Sequence, residues 1–256
     1  MDDKFPMTGD IDFPLYMVTD EESGDLLVTA EEVEGFFVDP EEESPEVVFL
    51  RAREVNKGKR RTDDAVLQIV NRQGECIGEY FIGRAVLGDT GAESPDGKIS
   101  SVSYRFFGNR CDYPAAAKIW RRWASGVTVK RGEWLQWPVR QHSAWLHVVQ
   151  TAWFTANRSA ARYGVDDVIH LDGAHIATKS GFFCALGEAV NGPGGYYGSN
   201  LDALADCISS NSGEGPLVKI VWRDFRASQG SLDHVFLDSL MGVMREFNID
   251  VEIPDK

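Results

Sequence analysis

Two aspartates, Asp202 and Asp206, lie four residues apart on the polar side of a segment with the pattern of a short helix. On a wheel of about 100° per residue, the apolar residues of this segment share one face, which we expect to be buried: Leu201, Leu204, Ala205 and Ile208. Asp202 has an ordinary explanation, because an acid in the first turn interacts favourably with the helix dipole. Asp206 has none, because Asp is a mediocre helix former and like charges at this spacing cost about 0.2–0.5 kcal/mol. The pair therefore fits either a solvated helix face or a binding site for a cationic group.

A glycine-rich loop precedes this helix and carries two adjacent tyrosines, Tyr196 and Tyr197. Ser199 or Asn200 is the expected N-cap, and Ser199 with Asp202 fits a capping box in which Asp replaces the usual Glu. We expect the tyrosines to be exposed, and exposed Tyr beside fixed charge is a common composition of binding hot spots. The loop and the helix together therefore favour a surface that binds a cationic protein.

The elements around this surface alternate between strands and helices. Three apolar segments are predicted strands: Val168–Leu171, Leu217–Trp222 and Asp250–Ile253. Between them we predict three helices: one capped by Thr178 or Ser180 and running to Val190, one over Leu201–Ile208, and one over Leu232–Phe247. This order predicts an α/β domain with a small three-stranded parallel sheet and crossover helices.

The first part of the chain has strands before helices, which predicts an α+β domain. The predicted strands are 13–18, 26–28, 36–38, 47–51, 65–70, 79–82 and 101–107, with Glu41 to Glu43 as a surface loop and a hairpin turn at 71–75. Pro114 opens a helix over Ala115–Trp123, and a second helix around Trp145–Trp153 ends near Gly164. We place the boundary between Arg158 and Asp167, which divides the chain into domains 1–163 and 167–254.

Charge narrows the class of partner. The net charge is −14, with −15 in residues 1–50, +9 in residues 51–164 and −8 in residues 165–256. This balance disfavours nucleic acid or an anionic membrane as the main partner. The start of the chain lacks the pattern of a signal peptide, and no stretch approaches 18 apolar residues, so we expect a cytoplasmic protein that no helix anchors in a membrane. The four cysteines have no metal-ligand spacing, and we expect reduced, mostly buried thiols.

The segment from Tyr196 to Cys207 (YYGSNLDALADC) resembles the signature of the barstar family, intracellular inhibitors of barnase-type ribonucleases. The resemblance extends over the whole second domain: His170–Gly173 is similar to the first strand and turn, and Leu217–Arg223 to the second strand. Met244–Glu246 and Val251–Ile253 are similar to the end of the last helix and the final strand. The resemblance implies the same α/β fold and no catalytic residue, metal or cofactor.

The resemblance also implies a mode of binding, in which the helix with its preceding loop enters the cleft of a basic, secreted ribonuclease. Asp206 would occupy the site of the scissile phosphate, since a carboxylate can replace phosphate in a bidentate pair with Arg. The residues framing that contact would be Tyr196, Tyr197, Gly198, Asn200 and Asp202, with a flanking salt bridge from Glu246. A −8 module would steer a cationic enzyme, an effect for which the barnase–barstar pair is itself the usual example. The family has Trp where this chain has Ala205 and a second Trp where Ser209–Gly215 has none, differences that bear on the identity and affinity of the partner.

Three other functions are compatible with parts of the chain. The domain could be an immunity protein against another secreted nuclease toxin, with the same mode of binding. The first domain could bind RNA through the basic stretch Arg51–Arg61, but we favour a loop that neutralises the acidic first fifty residues. Catalysis is disfavoured, because the five histidines form no HExxH pattern and the glycine-rich loop lacks the Lys-Ser/Thr of a phosphate loop.

Overall fold

The computed structural model describes residues 12–41, 45–210 and 217–254. The chain divides into two compact units, 1–128 and 129–256. Glu42 and Glu43 of the predicted acidic loop, and residues 211–215 of the tryptophan-free segment, lie outside the described residues. The division falls about thirty residues before the boundary expected from the sequence. The reason is that the helix around Trp145 packs on the first helix of the predicted α/β domain.

Unit 1 is a closed antiparallel barrel. Its described strands are β1 (Tyr16–Asp20), β2 (Leu26–Glu34), β3 (Glu46–Val55), β4 (Arg61–Val70), β5 (Cys76–Thr90) and β6 (Ile99–Phe106). They follow the order β1-β2-β3-β6-β5-β4, and β1 closes the barrel by pairing with β4, with Met17 opposite Gln68. The barrel is followed by α1 (Ala116–Ala124). The α+β prediction is confirmed, although the predicted strand at 36–38 is only a bridge between Phe37 and Cys111.

The basic stretch is neither a single loop nor a free cationic face. Arg51 and Arg53 lie on β3 and Arg61 begins β4. The carboxylate of Glu31, whose side chain is 3% exposed, accepts hydrogen bonds from Arg51, Arg53 and Lys98 at 2.7 Å each. Burial alone would raise the pKa of Glu31, but these cations outweigh it and lower that pKa.

The same neutralisation occurs at the turn between β3 and β4. Lys59 Nζ lies 3.0 Å from Asp20 and 2.8 Å from Asp25. Asp20, Asp25 and Glu31 thus pair with cations from residues 51–98, which supports the neutralising interpretation and leaves fewer cations available to a phosphate backbone.

Unit 2 begins with two short 3₁₀ helices, Glu133–Gln136 and Val139–Gln141. They are followed by α2 (His142–Thr155), which ends nine residues before Gly164, where the sequence placed the stop. The elements that follow are β7 (Val168–Asp172), α3 (Lys179–Asn191), α4 (Leu201–Ser209), β8 (Lys219–Arg223), α5 (Phe225–Ser231), α6 (His234–Glu246) and β9 (Asp250–Glu252). Helix α5 was not predicted. Thr178 Oγ1 accepts a hydrogen bond from Gly181 N at 3.0 Å, which confirms the predicted N-cap of α3.

The sheet of unit 2 confirms the predicted fold class. Its strands are parallel in the order β7-β8-β9, with Ile169 opposite Ile220 and Ile220 opposite Val251. Each crossover contains helices, as parallel strands require. The core contains Phe182, Leu186, Trp222 and Leu240. Phe182 and Leu186 belong to α3, so this core fixes the helix that precedes the loop leading to α4.

Candidate functional site

The loop between α3 and α4 is held by the side chain of Asn191. Its Nδ2 donates to the carbonyl oxygens of Tyr196, at 2.6 Å, and Ala161, at 3.0 Å. Its Oδ1 accepts from the backbone N–H groups of Tyr163, at 2.7 Å, and Gly164, at 3.3 Å. One side chain therefore ties the tyrosine loop to the segment in which the sequence placed a domain boundary.

Gly198 sets the entry of the loop into α4. Its φ of +94° lies in the left-handed region that favours glycine, and a Cβ there would lie 2.9 Å from the backbone of Leu204. Asn200 then caps α4, with its Oδ1 accepting from Ala203 N at 2.8 Å. The predicted Ser199–Asp202 capping box is wrong, because the cap lies one residue later and places Ala203 at the third helical position.

Helix α4 presents its two aspartates to solvent. Asp202, Asp206 and the capping residue Asn200 are exposed, and the aspartates are one helical turn apart. The buried residues of the helix are Leu204 and Cys207, whereas Leu201, Ala205 and Ile208 are only partly buried, so the predicted buried face is rotated. The rotation arises because Cys207 packs as a small apolar side chain.

The tyrosines do not lie where the sequence placed them. Tyr196 and Tyr197 are 2% and 1% exposed, and Gly198 is buried as well. Burial raises the pKa of both phenols, and the Asp206 carboxylate contributes to the rise for Tyr196. The prediction of exposed tyrosines is therefore wrong. Their rings are buried and support the loop from the protein interior.

Phe154, near the end of α2, covers Tyr196. The two ring centroids are 5.4 Å apart with an interplanar angle of 63°. Phe154 itself is 43% exposed. Phe154 was not among the predicted site residues, although the sequence contained a signal: it is an aromatic residue outside the predicted apolar face of that helix.

The remaining predicted residue, Glu246, is exposed at the last position of α6, the helix that packs on α4. The ion pairs among the described residues of unit 2 involve other acids, and none includes Asp202, Asp206 or Glu246. Burial raises the pKa of the Cys207 thiol to about 12, with a further contribution from Asp206. The site thus offers negative charge that has no ion-pair partner among the described residues.

No group of three metal-binding side chains occurs among residues 12–41, 45–210 and 217–254. In the same ranges, no helix is both long enough and apolar enough to cross a membrane. All four cysteines are free thiols, three of them buried and Cys76 exposed. The exposed carboxylates of the site can accept hydrogen bonds from a cationic partner and form ion pairs with it.

Comparison with known proteins assigns a family to this part of the chain. Residues 167–253 match the family model described as Barstar (barnase inhibitor). No curated protein matches the chain. Residues 167–253, about a third of the chain, are therefore similar to the Barstar family, and residues 1–166 precede the matched part.

Proposed function

We propose that the C-terminal unit is a stoichiometric inhibitor of a basic, secreted ribonuclease of the barnase type. The observation that carries the proposal is the exposed Asp206 on α4, which has no ion-pair partner among the described residues. It occupies the position where the family resemblance puts the phosphate mimic. A carboxylate held there can accept a bidentate pair from the arginine that normally binds the scissile phosphate.

The neighbouring residues have distinct roles in this proposal. Asp202 and Asn200 flank Asp206 on the exposed side of the helix and its cap, and Glu246 adds charge from α6. Tyr196, Tyr197 and Gly198 act indirectly, since they are buried and set the path of the loop. The inhibitor needs no cofactor or metal, because it occupies the active site rather than performing chemistry.

A cytoplasmic location is part of the proposal, since an inhibitor retained in the cell protects it from a ribonuclease made for export. The same geometry serves an immunity protein against another nuclease toxin, because any phosphodiesterase with a cationic phosphate site presents similar chemistry. The two roles differ only in the partner, so the test includes more than one nuclease.

The test is a titration of residual RNA cleavage by a barnase-type ribonuclease with the full chain. We expect activity to vanish near one-to-one stoichiometry. Asp206→Asn, which removes charge at almost constant volume, should weaken binding by about 2–5 kcal/mol, the range for removing one partner of a buried ion pair; barnase–barstar is the reference case for that range. Asp238→Asn is the matched control, because Asp238 is an exposed acid on α6 outside the site.

Two outcomes would contradict the proposal. Undiminished inhibition by Asp206→Asn would exclude this docking mode. Absence of inhibition with ribonucleases, together with inhibition of a deoxyribonuclease toxin in a parallel titration, would assign the domain to the immunity role instead.

A further inference from the structure

The exposed aromatic surface beside the acidic helix comes from outside the matched domain. Phe154 belongs to α2, before residue 167, yet its ring packs on Tyr196 of the loop that leads into α4. With 43% of its surface exposed, Phe154 covers the buried tyrosine and remains accessible itself. A segment that precedes the matched part thus forms part of the same surface.

Tyr196 connects Phe154 to the acidic pair. Its hydroxyl lies 3.5 Å from the hydroxyl of Ser199, just before the N-cap of α4. The phenol is also close enough to Asp206 for that carboxylate to contribute to the rise in its pKa, after the larger effect of burial. The ring of Tyr196 therefore connects Phe154 to the surroundings of Asp206.

Two aromatic side chains near the loop are exposed among the described residues, Phe154 at 43% and Tyr163 at 41%, and of these Phe154 packs on Tyr196. Ala205, immediately before Asp206, offers only a methyl group. Tyr196 and Tyr197 are buried and cannot present their rings to a partner. Protein interfaces obtain much of their binding free energy from aromatic side chains next to charged pairs, and Phe154 is the side chain placed to supply that contact.

The end of α2 that carries Phe154 is anchored before any partner binds. The neighbouring Trp153 is buried, its Nε1 donates to the carbonyl of Ser159 at 2.8 Å, and its ring packs on Tyr163. Tyr163 N in turn donates to Asn191, the residue that holds the tyrosine loop. A preorganised aromatic residue loses little conformational entropy on binding.

We infer that Phe154 is an additional docking residue for the ribonuclease, so that the inhibitory surface extends from α4 onto α2. This inference rests on the proposed function. The partner chemistry is that of a cationic nuclease: guanidinium groups around its phosphate site pair with Asp206 and pack on the Phe154 ring. The same contact occurs within unit 1, where the Arg84 guanidinium lies 5.0 Å from the ring centre of Phe107.

The test measures association and dissociation rates of the full chain with the ribonuclease for wild type, Phe154→Ala, Phe154→Leu and Asp206→Asn. Phe81→Ala is the matched control, because Phe81 is 52% exposed on β5 in unit 1. We expect Phe154→Ala to dissociate at least tenfold faster with an almost unchanged association rate. Phe154→Leu, which keeps apolar contact with Tyr196, should lose about threefold, and Phe81→Ala nothing.

Each result is decisive once thermal unfolding has shown that the variants are folded. If Phe154→Ala is less stable than wild type, Phe154→Leu decides: wild-type dissociation of this variant would overturn the inference. Wild-type binding by Phe154→Ala, combined with weak binding by Asp206→Asn, would overturn the inference and leave the proposed function intact. Tighter binding by Phe154→Ala would show that α2 obstructs the site and would also overturn it. Failure of the wild-type protein to inhibit would reject the proposed function, and the inference with it.

Discussion

Asn191 and Tyr196 are joined by a 2.6 Å hydrogen bond from the Asn191 side-chain amide to the Tyr196 carbonyl. The same amide group donates to Ala161, which belongs to the segment preceding the sheet. The Asn191 side chain therefore anchors both the loop that leads into α4 and the segment after α2. We propose on this basis that the folding unit of the inhibitor begins near Val129 and includes residues 129–164.

Asn191→Asp tests this anchor without a change in size. The variant keeps an oxygen for the N–H groups of Tyr163 and Gly164 but places a second oxygen against two carbonyls. We expect the free energy of unfolding to fall by about 2–3 kcal/mol, because two partly buried acceptors lose their donor and face a negative charge. Chemical denaturation followed by tryptophan fluorescence measures the change.

The control for that prediction is Ser239→Ala, on the exposed side of α6, which should alter stability by less than about 0.5 kcal/mol. Unchanged stability of Asn191→Asp would mean that the two hydrogen bonds donated by the Asn191 amide do not stabilise unit 2, and the proposed start of the folding unit near Val129 would lose its basis.

His142 makes the stability of unit 2 dependent on pH. The side chain is 2% exposed, its Nε2 lies 3.2 Å from the Trp137 carbonyl, and its Nδ1 has no hydrogen-bond partner among the described residues. Burial lowers the pKa of His142 below 6.5, against a smaller opposing effect of the hydrogen bond. The stabilising contribution of the neutral ring is therefore present above pH 6.5 and is lost as the pH falls toward the folded pKa.

We expect the free energy of unfolding to fall below pH 6.5 with a slope of at most about 1.4 kcal/mol per pH unit. His142→Gln should flatten this slope, whereas His234→Gln, at an exposed position, should not. Glu188 acts in the opposite sense: burial raises its pKa, so its contribution is full below about 4.5 and is lost as the pH rises through the folded pKa. A persistent slope in His142→Gln would assign the effect to another group.

The association rate should depend on salt. Asp202, Asp206 and Glu246 are exposed and attract a basic enzyme at long range. Residues 129–164 carry five Lys and Arg against one Glu, so unit 2 is less acidic than the matched domain alone. We expect the association rate to fall about tenfold between 0.05 and 0.5 M NaCl with a smaller change in dissociation, as stopped-flow mixing can measure.

The contrasting outcome is an association rate that does not change with salt, which would reject electrostatic steering. Asp206→Asn should lower the salt dependence slightly, since it removes one of several charges. Phe81→Ala should leave it unchanged, because the residue is uncharged and lies in unit 1.

The parallel sheet was predictable from the sequence because alternating apolar strands and amphipathic helices allow few topologies. Closure of the barrel was not, since the pairing of Met17 with Gln68 joins residues that no local pattern relates. Helix α5 was missed because Phe225–Ser231 is short and largely polar. These differences arise where long-range packing overrides local pattern.

The candidate site was also predictable only in part. Helical periodicity places Asp202 and Asp206 on the polar side of the helix, and the structure exposes both. The burial of Tyr196 could not be predicted from periodicity, because it depends on Phe154, forty-two residues earlier in the chain. A helical wheel describes one segment at a time and contains no information about which other segment covers it.

Closure of the barrel in unit 1 has a consequence for recognition. Each of β1 to β6 pairs with a neighbour on both sides over part of its length, which leaves little unpaired backbone for strand addition. The first half of β5 is an exception, because residues 76–83 pair with β4 and not with β6. Binding by extension of the sheet, as peptides do at open sheet edges, is therefore confined to such short runs. Elsewhere on the described strands a partner must recognise side chains or the connecting turns, and variation among related chains at those positions would change specificity.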